Sequence, residues 1–260
     1  MNTVRTCGSA RVIEVPATAL FRPLPMPAMR IPRDDSVLSC RGLRQRLDDN
    51  LVDDVWFDIQ AGEAYGLTGP DGAARAMIVR VVCGLLGVDR GAVLLRGRPV
   101  DELDAQSLRE TVGYVAQSVA TWPSMTVVDN LRLWARLLGL PLPLRRRRIA
   151  EVLAKVGLDA HSCDLVENCS AGVLRDLSIA VALLHRPRLL VLDEPTEGID
   201  GPSRQQLLAT LRRLCDEGMS VLYVSGDTAE VHQLCDRVGV LVRGRLIAEG
   251  SPDSVPLPAA

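Results

Sequence analysis

Short apolar runs recur along the chain between turn residues, and each predicts a β-strand. Runs of about four to eight apolar residues bounded by Gly, Pro or Asp are typical of strands in a sheet. Leu189–Leu192 contains no polar residue, which indicates a parallel strand that is buried on both faces. The other predicted strands and hairpins are Val37–Arg41, Leu51–Ile59, Ala64–Leu67, Gly91–Val100, Thr111–Gln117, Ser220–Val224 and Arg237–Glu249.

Between these strands, apolar residues recur at helical spacing, about three or four positions apart. One helix is predicted after Ala64–Leu67, with an apolar face at positions 77, 78, 81, 82 and 85. Thr126–Gly139 predicts a second helix with apolar positions 128, 131, 134 and 138. Leu144–Val156 predicts a third, with apolar positions 149, 152, 153 and 156. Arg145–Arg148, at the start of the third helix, is interpreted as a solvated face, and contact with a membrane surface is the alternative.

Length and composition favour one α/β domain. The 260 residues can bury one sizeable core, so a single domain with a possible subdomain is predicted. The residues are 47% hydrophobic but only 3% aromatic, as in folds rich in Leu, Val and Ala. A net charge of −2 gives no indication of nucleic acid as a partner. Lys155 is the only lysine, so arginine is the residue at every other basic site.

The sequence also limits where the protein is expected to reside. No run approaches the ~18 apolar residues of a membrane-spanning helix, and Met1–Ala10 lacks the apolar segment of a signal peptide. The chain is therefore predicted to be cytoplasmic and not to span a membrane. Seven cysteines lie without paired spacing, several of them in apolar runs, and are predicted to be reduced thiols.

The two ends of the chain differ from its middle. Residues 1–35 carry several prolines and show little periodicity, which predicts a mobile extension without a fold of its own. A docking arm is the alternative. Residues 36–252 are predicted to form the domain, and residues 253–260 a proline-containing tail.

Two adjacent carboxylates follow the most apolar strand. Asp193 and Glu194 end the run Leu189–Leu192, and Pro195 stops the strand. In an open α/β sheet, ligands bind at the carboxyl ends of strands. Two acids at this position suit a hydrated Mg²⁺ ion beside a phosphate, with one acid holding the ion and the other polarising a water molecule. For the pair alone, two solvated acids at a strand end is the simpler alternative.

A glycine-rich turn joins the strand Ala64–Leu67 to the helix that follows it. Strand, turn and helix in this order form the context of a phosphate-binding loop, whose pattern is G-x-x-x-x-G-K-[ST]. Gly69 matches the first glycine, but Ala74, Arg75 and Ala76 replace the second glycine, the lysine and the hydroxyl residue. The free N–H groups at the helix N-terminus would still favour an anion. A plain strand–turn–helix is the alternative for this segment alone.

The order and spacing of these motifs from Val37 to Pro252 resemble the nucleotide-binding subunit of an ATP-binding-cassette (ABC) transporter, closest to the drug-exporter branch. The segment from Leu189 to Asp200 resembles the Walker B strand and D-loop of that family. The resemblance implies an α/β fold of the ABC-type P-loop NTPase class. Such a domain has a RecA-like parallel sheet, an antiparallel β edge sheet and an inserted α-helical subdomain, here at about residues 118–175.

The resemblance also implies roles for individual residues. Asp193 would bind Mg²⁺, and Glu194 would be the general base. Gln117 matches the Q-loop glutamine, which contacts Mg²⁺ or the attacking water; a solvated loop residue is the alternative. Asp200 matches the D-loop acid. ATP would be held by the phosphate-binding loop, which comprises Gly69, Pro70, Asp71, Gly72, Ala73, Ala74, Arg75, Ala76 and Met77.

Three further positions match the family only in part. Ser170 and Gly172 match the signature motif, while Ser170 is also a suitable N-cap for a helix predicted at Leu174–His185. Leu47 stands where the family stacks an aromatic ring on adenine, and Gly226 stands at the place of the switch histidine. The three histidines lie elsewhere, at positions 161, 185 and 232, and are predicted to be surface or helix residues.

Taken together, these departures predict a degenerate subunit of an ABC exporter. ATP and Mg²⁺ are expected to bind weakly, and hydrolysis at this site is expected to be weak or absent. The predicted partners are a transmembrane permease subunit and a second ABC ATPase subunit, with a heterodimer favoured, and the predicted location is peripheral on the inner face of the cell membrane. The alternatives are an active ATPase that uses Arg75 in place of lysine and a regulatory or scaffold module outside transport.

Overall fold

The computed structural model describes residues 36–117 and 120–256. The predicted extension at 1–35 and the last four residues of the predicted tail lie outside these ranges. The described residues form two sheets and seven α-helices. The strands are β1 (Ser36–Leu47), β2 (Asn50–Gln60), β3 (Ala64–Thr68), β4 (Arg90–Leu95), β5 (Arg98–Pro99), β6 (Val112–Val115), β7 (Leu189–Asp193), β8 (Ser220–Val224), β9 (Arg237–Val242) and β10 (Arg245–Gly250). The helices are α1 (Gly72–Val82), α2 (Ala105–Thr111), α3 (Val127–Leu137), α4 (Leu142–Val156), α5 (Ala171–Leu183), α6 (Gly201–Asp216) and α7 (Thr228–Leu234).

The larger sheet has six strands in the order β10-β9-β3-β8-β7-β6. Its strands β9, β3, β8, β7 and β6 run parallel, and only β10 is antiparallel. The predicted parallel strand Leu189–Leu192 is β7, and its four apolar residues are fully buried. Because β3, β7 and β8 run in the same direction, their carboxyl ends meet at one edge of the sheet.

The smaller sheet is antiparallel, with the strand order β2-β1-β4-β5. It confirms the predicted strands at Val37–Arg41 and Leu51–Ile59 and the predicted hairpin at Gly91–Val100. The hairpin turns at Gly97, whose φ of +77° favours glycine. This sheet and α1 bury one apolar cluster against the larger sheet, and α3 to α7 contribute to a second.

The helices between β6 and β7 follow the predicted periodicity with one change. All four predicted apolar positions of α4 are buried, at Ile149, Val152, Leu153 and Val156. In α3 the predicted Leu131 is fully buried and the predicted positions 128, 134 and 138 pack, partly buried, against the same core, while the fully buried positions 127 and 135 were not predicted. None of the described helices has the length and apolarity needed to cross a bilayer.

Three predictions of local structure were wrong. The helix predicted at Leu174–His185 begins at Ala171, because Ser170 caps it one position earlier. Leu85 lies beyond the end of α1 and is 64% exposed, so it does not belong to the apolar face of that helix. Arg148 is not part of a solvated face. Its Nε donates to the carbonyl oxygen of Leu184 at 2.8 Å, just after the last turn of α5, where a cation satisfies unpaired carbonyl groups.

The cysteines and two of the three histidines agree with their predictions where the structure describes them, while His185 is half-buried in the turn after α5. Four of the six described cysteines are buried, and all six are free thiols. His161 and His232 are exposed, each beside an aspartate. His185 follows α5 and lies 3.1 Å from the carbonyl oxygen of Val112, and burial lowers its pKa.

Candidate functional site

The predicted phosphate-binding loop connects β3 to α1 and is fixed at both ends. Gly69 has a φ of +124°, and a Cβ atom there would collide with the carbonyl oxygen of Leu241, so only glycine fits. Asp71 caps α1 by accepting from the backbone N–H of Ala74 at 3.1 Å. Its other oxygen accepts from the N–H of Gly244 at 2.8 Å, which ties the loop to the β9–β10 turn. The loop therefore has a defined shape in spite of its missing second glycine.

Arg75, at the position of the family's lysine, points across this loop. Its side chain is only 7% exposed. Nη1 donates to the carbonyl oxygen of Gly69, and Nη2 donates to Oε1 of Glu194 at 2.6 Å. Nε is buried without a hydrogen-bond partner among the described residues. Arg75, near the start of α1, thus forms an ion pair with Glu194, which follows β7.

Glu194 is held in place by the backbone of two strand ends. Its N–H donates to the carbonyl oxygen of Val224 at 2.9 Å, and its φ of +47° is uncommon for a residue with a side chain. The carboxylate accepts from the N–H of Gly226 at 3.0 and 3.2 Å, one distance to each oxygen. Glu194, Arg75 and Gly226 therefore form one cluster. The sequence analysis had assigned these three residues to three separate motifs.

Asp193 lies beside this cluster at the end of β7. Burial raises the pKa of its carboxyl group, and the negative charge of Glu194 adds to that effect, while Arg75 and Arg80 oppose it. Both main causes disfavour the charged form of this carboxyl group.

The predicted Mg²⁺ site depends on Asp193 and Gln117, because Mg²⁺ at nucleotide sites is held by one or two protein oxygens together with phosphates and water. The described residues contain no group of three or more His, Cys, Asp or Glu side chains arranged to hold a metal. Ala76 offers no side-chain oxygen, and Glu194 is already paired with Arg75. The amide nitrogen of Gln117 donates to Glu197, and its amide oxygen takes no part in that bond.

Arg175 was not identified from the sequence, although it supports the Q-loop position. It lies on α5, is 4% exposed, and donates from Nη1 to the carbonyl oxygen of Ala116 at 2.8 Å. Nη2 donates to the carbonyl oxygen of Gln117 at 3.0 Å. Burial lowers the pKa of the guanidinium. The sequence could have indicated this role, because Arg175 lies on an otherwise apolar helix face and a buried cation needs hydrogen-bond partners.

The predicted signature residues form a second group with the D-loop acid. Ser170 caps α5 by accepting from the N–H of Val173 at 3.3 Å. Gly172 is buried against Ser203, and a Cβ atom at Gly172 would lie 2.5 Å from Oγ of that serine. Asp200 caps α6 and accepts from the N–H and the Oγ of Ser203 at 2.8 and 3.0 Å. Ser203 therefore links these two predicted motifs.

Glu230 is a further residue that the sequence did not reveal. It lies on α7, is 3% exposed, and its Oε2 accepts three hydrogen bonds. The donors are the hydroxyl groups of Thr196 at 2.8 Å, Tyr223 at 2.8 Å and Ser225 at 3.1 Å. Thr196 follows Glu194 closely and Ser225 precedes Gly226, so Glu230 joins the two loops that hold the Glu194 carboxylate.

Two predicted contact residues have apolar surroundings. Leu47 ends β1 and packs, half-buried, against the cluster around α1. Met77 is buried in the same cluster, so only its backbone can face the loop. Within the loop itself, Pro70, Gly72 and Ala73 are the more exposed positions.

A family model for ABC transporters, described as "ABC transporter", matches residues 52–197. The chain belongs to the ABC transporter family. This match confirms the predicted family, and its range contains the predicted phosphate-binding loop, Q-loop position, signature and Walker B strand.

Curated relatives of this ABC chain are named as export or resistance proteins. It is 37% identical over 201 residues to the linearmycin resistance ATP-binding protein LnrL of Bacillus subtilis (strain 168), an alignment that covers 77% of this chain and 64% of LnrL. It is 36% identical over 216 residues to the Nod factor export ATP-binding protein I of Burkholderia orbicola (strain AU 1054), covering 83% of this chain and 71% of that protein. The chain thus spans just under two thirds of the first of these relatives.

Solved structures confirm the predicted fold class. CbiO1 from Clostridium perfringens, described as part of the ABC transporter complex cbiONQ, superposes with a TM-score of 0.77 at 26% identity, covering 84% of this ABC chain and 90% of that one. A structure described as the ATP-binding subunit of an ABC transporter gives a TM-score of 0.72 at 25% identity, covering 84% and 91%.

Proposed function

We propose that this chain is the ATP-binding subunit of an export-type ABC transporter whose own nucleotide site binds ATP weakly and hydrolyses it slowly or not at all. The names of the relatives, which refer to export and resistance, support the first half of this proposal. The contact between Arg75 and Glu194 carries the second half.

Hydrolysis of ATP needs an oriented water molecule and neutralisation of charge on the transferred phosphoryl group. Here the carboxylate that would orient the water accepts hydrogen bonds from Arg75 and from the N–H of Gly226. The residue after Arg75 is Ala76, which has no oxygen for a metal ion, and no imidazole lies at position 226. Losing one preorganised donor costs about 3–4 kcal/mol in comparable sites, so several losses together leave little rate.

An active ATPase is the second candidate. Asp193 and Glu194 are present at the end of β7, and Arg75 keeps the positive charge of the lysine it replaces. If Arg75 turned toward a phosphate, Glu194 would become free to act as a base. A scaffold module outside transport is the third candidate, and it would keep the fold without using the site.

The permease subunit is proposed to dock beside the C-terminal end of α3. A surface cavity of about 670 Å³ lies there between α2, α4 and the residues that follow α5. Leu137 and Leu144 line it and are 61% and 54% exposed. Arg109 adds positive charge, while Arg186 is paired with Glu151, which also lines the cavity. Exposed leucines flanked by arginines suit an amphipathic segment with acidic residues. The chain would then lie on the inner face of the cell membrane.

A second, competent ABC ATPase subunit is the proposed partner in a heterodimer. In a head-to-tail pair, each nucleotide site would combine the loop of one subunit with the signature of the other. Ser170 offers a hydroxyl group at the N-terminus of α5, which favours an anion such as the phosphate held by a partner. The partner's site would therefore work while the site of this chain stays silent.

Isothermal titration of the purified chain with ATP, with and without Mg²⁺, tests the weak site. Weak binding that Mg²⁺ hardly changes is expected, together with ATP turnover no faster than background. Restoring Ala74→Gly, Arg75→Lys, Ala76→Ser and Gly226→His together should raise turnover, and adding Glu194→Gln to that variant should remove it again. Clear turnover by the unmodified chain that Glu194→Gln abolishes would favour the active ATPase instead.

The assembled transporter tests the heterodimer. Glu194→Gln in this chain should leave the ATPase rate of the complex almost unchanged, because this site contributes little. Ser170→Ala should lower that rate, because Ser170 faces the partner's nucleotide. Loss of turnover with Glu194→Gln would contradict the assignment of a silent site.

A further inference from the structure

The guanidinium of Arg75 is bound at both of its terminal nitrogens by groups of this chain. Nη1 donates to the carbonyl oxygen of Gly69, in the phosphate-binding loop itself, and Nη2 donates to Oε1 of Glu194 at 2.6 Å. A planar fork with separated donors can bridge these two acceptors, whereas the compact ammonium of a lysine cannot match both at once. The substitution of lysine by arginine therefore makes this internal contact possible.

The acceptor side of the pair is rigid. The backbone N–H of Glu194 is bound to Val224 on β8, and both carboxylate oxygens lie within hydrogen-bond distance of the N–H of Gly226. Gly226 has no side chain between the two partners, and even a Cβ atom there would lie only 3.5 Å from Nη2 of Arg75. The Glu194 carboxylate is thus held within hydrogen-bond distance of the Arg75 guanidinium.

A phosphate that entered the loop would need the same cation. The N-terminus of α1 and Arg75 are the groups of this loop that favour an anion, and Arg75 is already neutralised by Glu194. Releasing the guanidinium would leave the Glu194 carboxylate with the N–H of Gly226 and with water, since its side chain is 30% exposed. Ligand binding and the internal pair therefore exclude each other.

We propose that Glu194 is an internal competitor of phosphate for Arg75, so that this carboxylate sets the affinity of the loop for phosphate-bearing ligands. The inference rests on the proposed weak nucleotide site and gives its cause. In this role Glu194 acts on binding in the absence of any metal ion, separately from any part it has in hydrolysis.

Titration of the full chain with inorganic pyrophosphate in the presence of EDTA tests the competition without nucleotide, metal or turnover. Glu194→Gln keeps the size of the side chain and removes its charge. We expect this variant to bind pyrophosphate about tenfold more tightly than the parent, because the amide oxygen that replaces the carboxylate holds the Arg75 guanidinium less strongly. Glu217→Gln, which removes an exposed carboxylate at the C-terminal end of α6, is the matched control for net charge and should leave the affinity unchanged.

A second pair of variants shows whether the effect passes through Arg75. In an Arg75→Met background, Glu194→Gln should change the affinity by less than about twofold, because the contested cation is absent. The proposal is overturned if Glu194→Gln leaves pyrophosphate affinity at the parent's value while thermal unfolding shows an intact fold. It is overturned equally if the gain persists in the Arg75→Met background. Neither result alters the separate ATP turnover measurement, which decides the proposed function.

Discussion

Two carboxylates near the carboxyl ends of β7 and β8 are satisfied in different ways. Glu230 is 3% exposed and accepts from three hydroxyl groups through Oε2. Its Oε1 makes no hydrogen bond within the described residues and lies 3.2 Å from Nε of Arg204, as an ion pair. Glu194 is more exposed and relies on Arg75 and one backbone N–H. The Glu230 cluster therefore has redundant partners, whereas the Glu194 pair depends on a single cation.

This difference in partners distinguishes a carboxylate that stabilises the fold from one that affects ligand binding. Removing a buried acid that accepts from several neutral donors costs much stability. Such an acid does not trade its partners with a ligand, because the groups that donate to it have no other acceptor to bind. An acid that shares one cation at the mouth of a loop costs little to disturb, since water can replace the partner. Stability should therefore depend on Glu230, and ligand affinity on Glu194.

Removal of the Glu230 side chain should have the largest effect. Glu230→Ala leaves three buried hydroxyl groups without their acceptor and is expected to lower the free energy of unfolding by about 3 kcal/mol. Urea denaturation measures the change. Glu217→Ala, which removes an exposed partner of Lys155, should cost about 0.5 kcal/mol or less. Equal losses in the free energy of unfolding from the two variants would show that the buried Glu230 contributes no more to stability than an exposed carboxylate.

Asp176 extends the comparison to a carboxylate that has no hydrogen-bond partner in the described part of the chain. It is 8% exposed, and burial raises its pKa from 3.8 to about 7. A raised pKa means that the folded state holds the proton more tightly, so stability falls as the pH rises from about 4 through 7. Asp176→Asn should therefore stabilise the protein by about 2 kcal/mol at pH 8 and by progressively less toward pH 4.

Thermal unfolding of the two proteins between pH 4 and 8 provides the measurement for Asp176. The effect of His161 opposes this rise in the pKa of Asp176 only in part. A stability difference that stays constant across this range would show that the aspartate is not neutral in the folded protein at low pH.

Replacement of the cation in the Glu194 pair should change stability only slightly. Arg75→Met removes two charged hydrogen bonds but also a buried Nε without a partner, and the methionine fills a similar volume. These effects oppose each other, so the free energy of unfolding should change by about 1 kcal/mol or less. A loss as large as that of Glu230→Ala in the same urea titration would make Arg75 a structural residue.

Gly226→Ala should have the smallest effect. The added Cβ would lie 3.5 Å from Nη2 of Arg75 and 3.7 Å from Oε1 of Glu194, which are ordinary contact distances. We expect a change of about 0.5 kcal/mol or less in stability. If differential scanning calorimetry shows a larger loss, the loop at position 226 is packed more tightly around the pair than these distances indicate.

Features that depend on neighbouring residues were predictable from the sequence. The strands of both sheets, the buried face of α4 and the N-cap at Ser170 follow from local period and local hydrogen bonding. In α3 the buried Ala135 was missed because a small side chain gives a weaker apolar signal than its neighbour Trp134, which packs against the same core but is only partly buried. Local patterns thus predicted elements better than their exact orientation.

Contacts between distant residues were not predictable in the same way. Arg75 and Glu194 were each assigned to a motif, but a local sequence pattern cannot show that two residues so far apart in the chain are in contact. Their ion pair was therefore found only in the structure. The same holds for Arg175 with the carbonyl groups before the Q-loop position and for Glu230 with Thr196. Sequence patterns located the parts of the site, and the parallel sheet determined which of them meet.

The position of β3 has a consequence for synthesis of the chain. In the sheet, Ala64 pairs with Val221 and Tyr65 with Arg237, so both neighbours of β3 come from much later in the sequence. At a rate of about 5–20 residues per second, β3 leaves the ribosome on the order of ten seconds before its first partner. During that interval its apolar residues and the loop after it are exposed to chaperones, and the phosphate-binding loop takes shape only when β8 and β9 have been made.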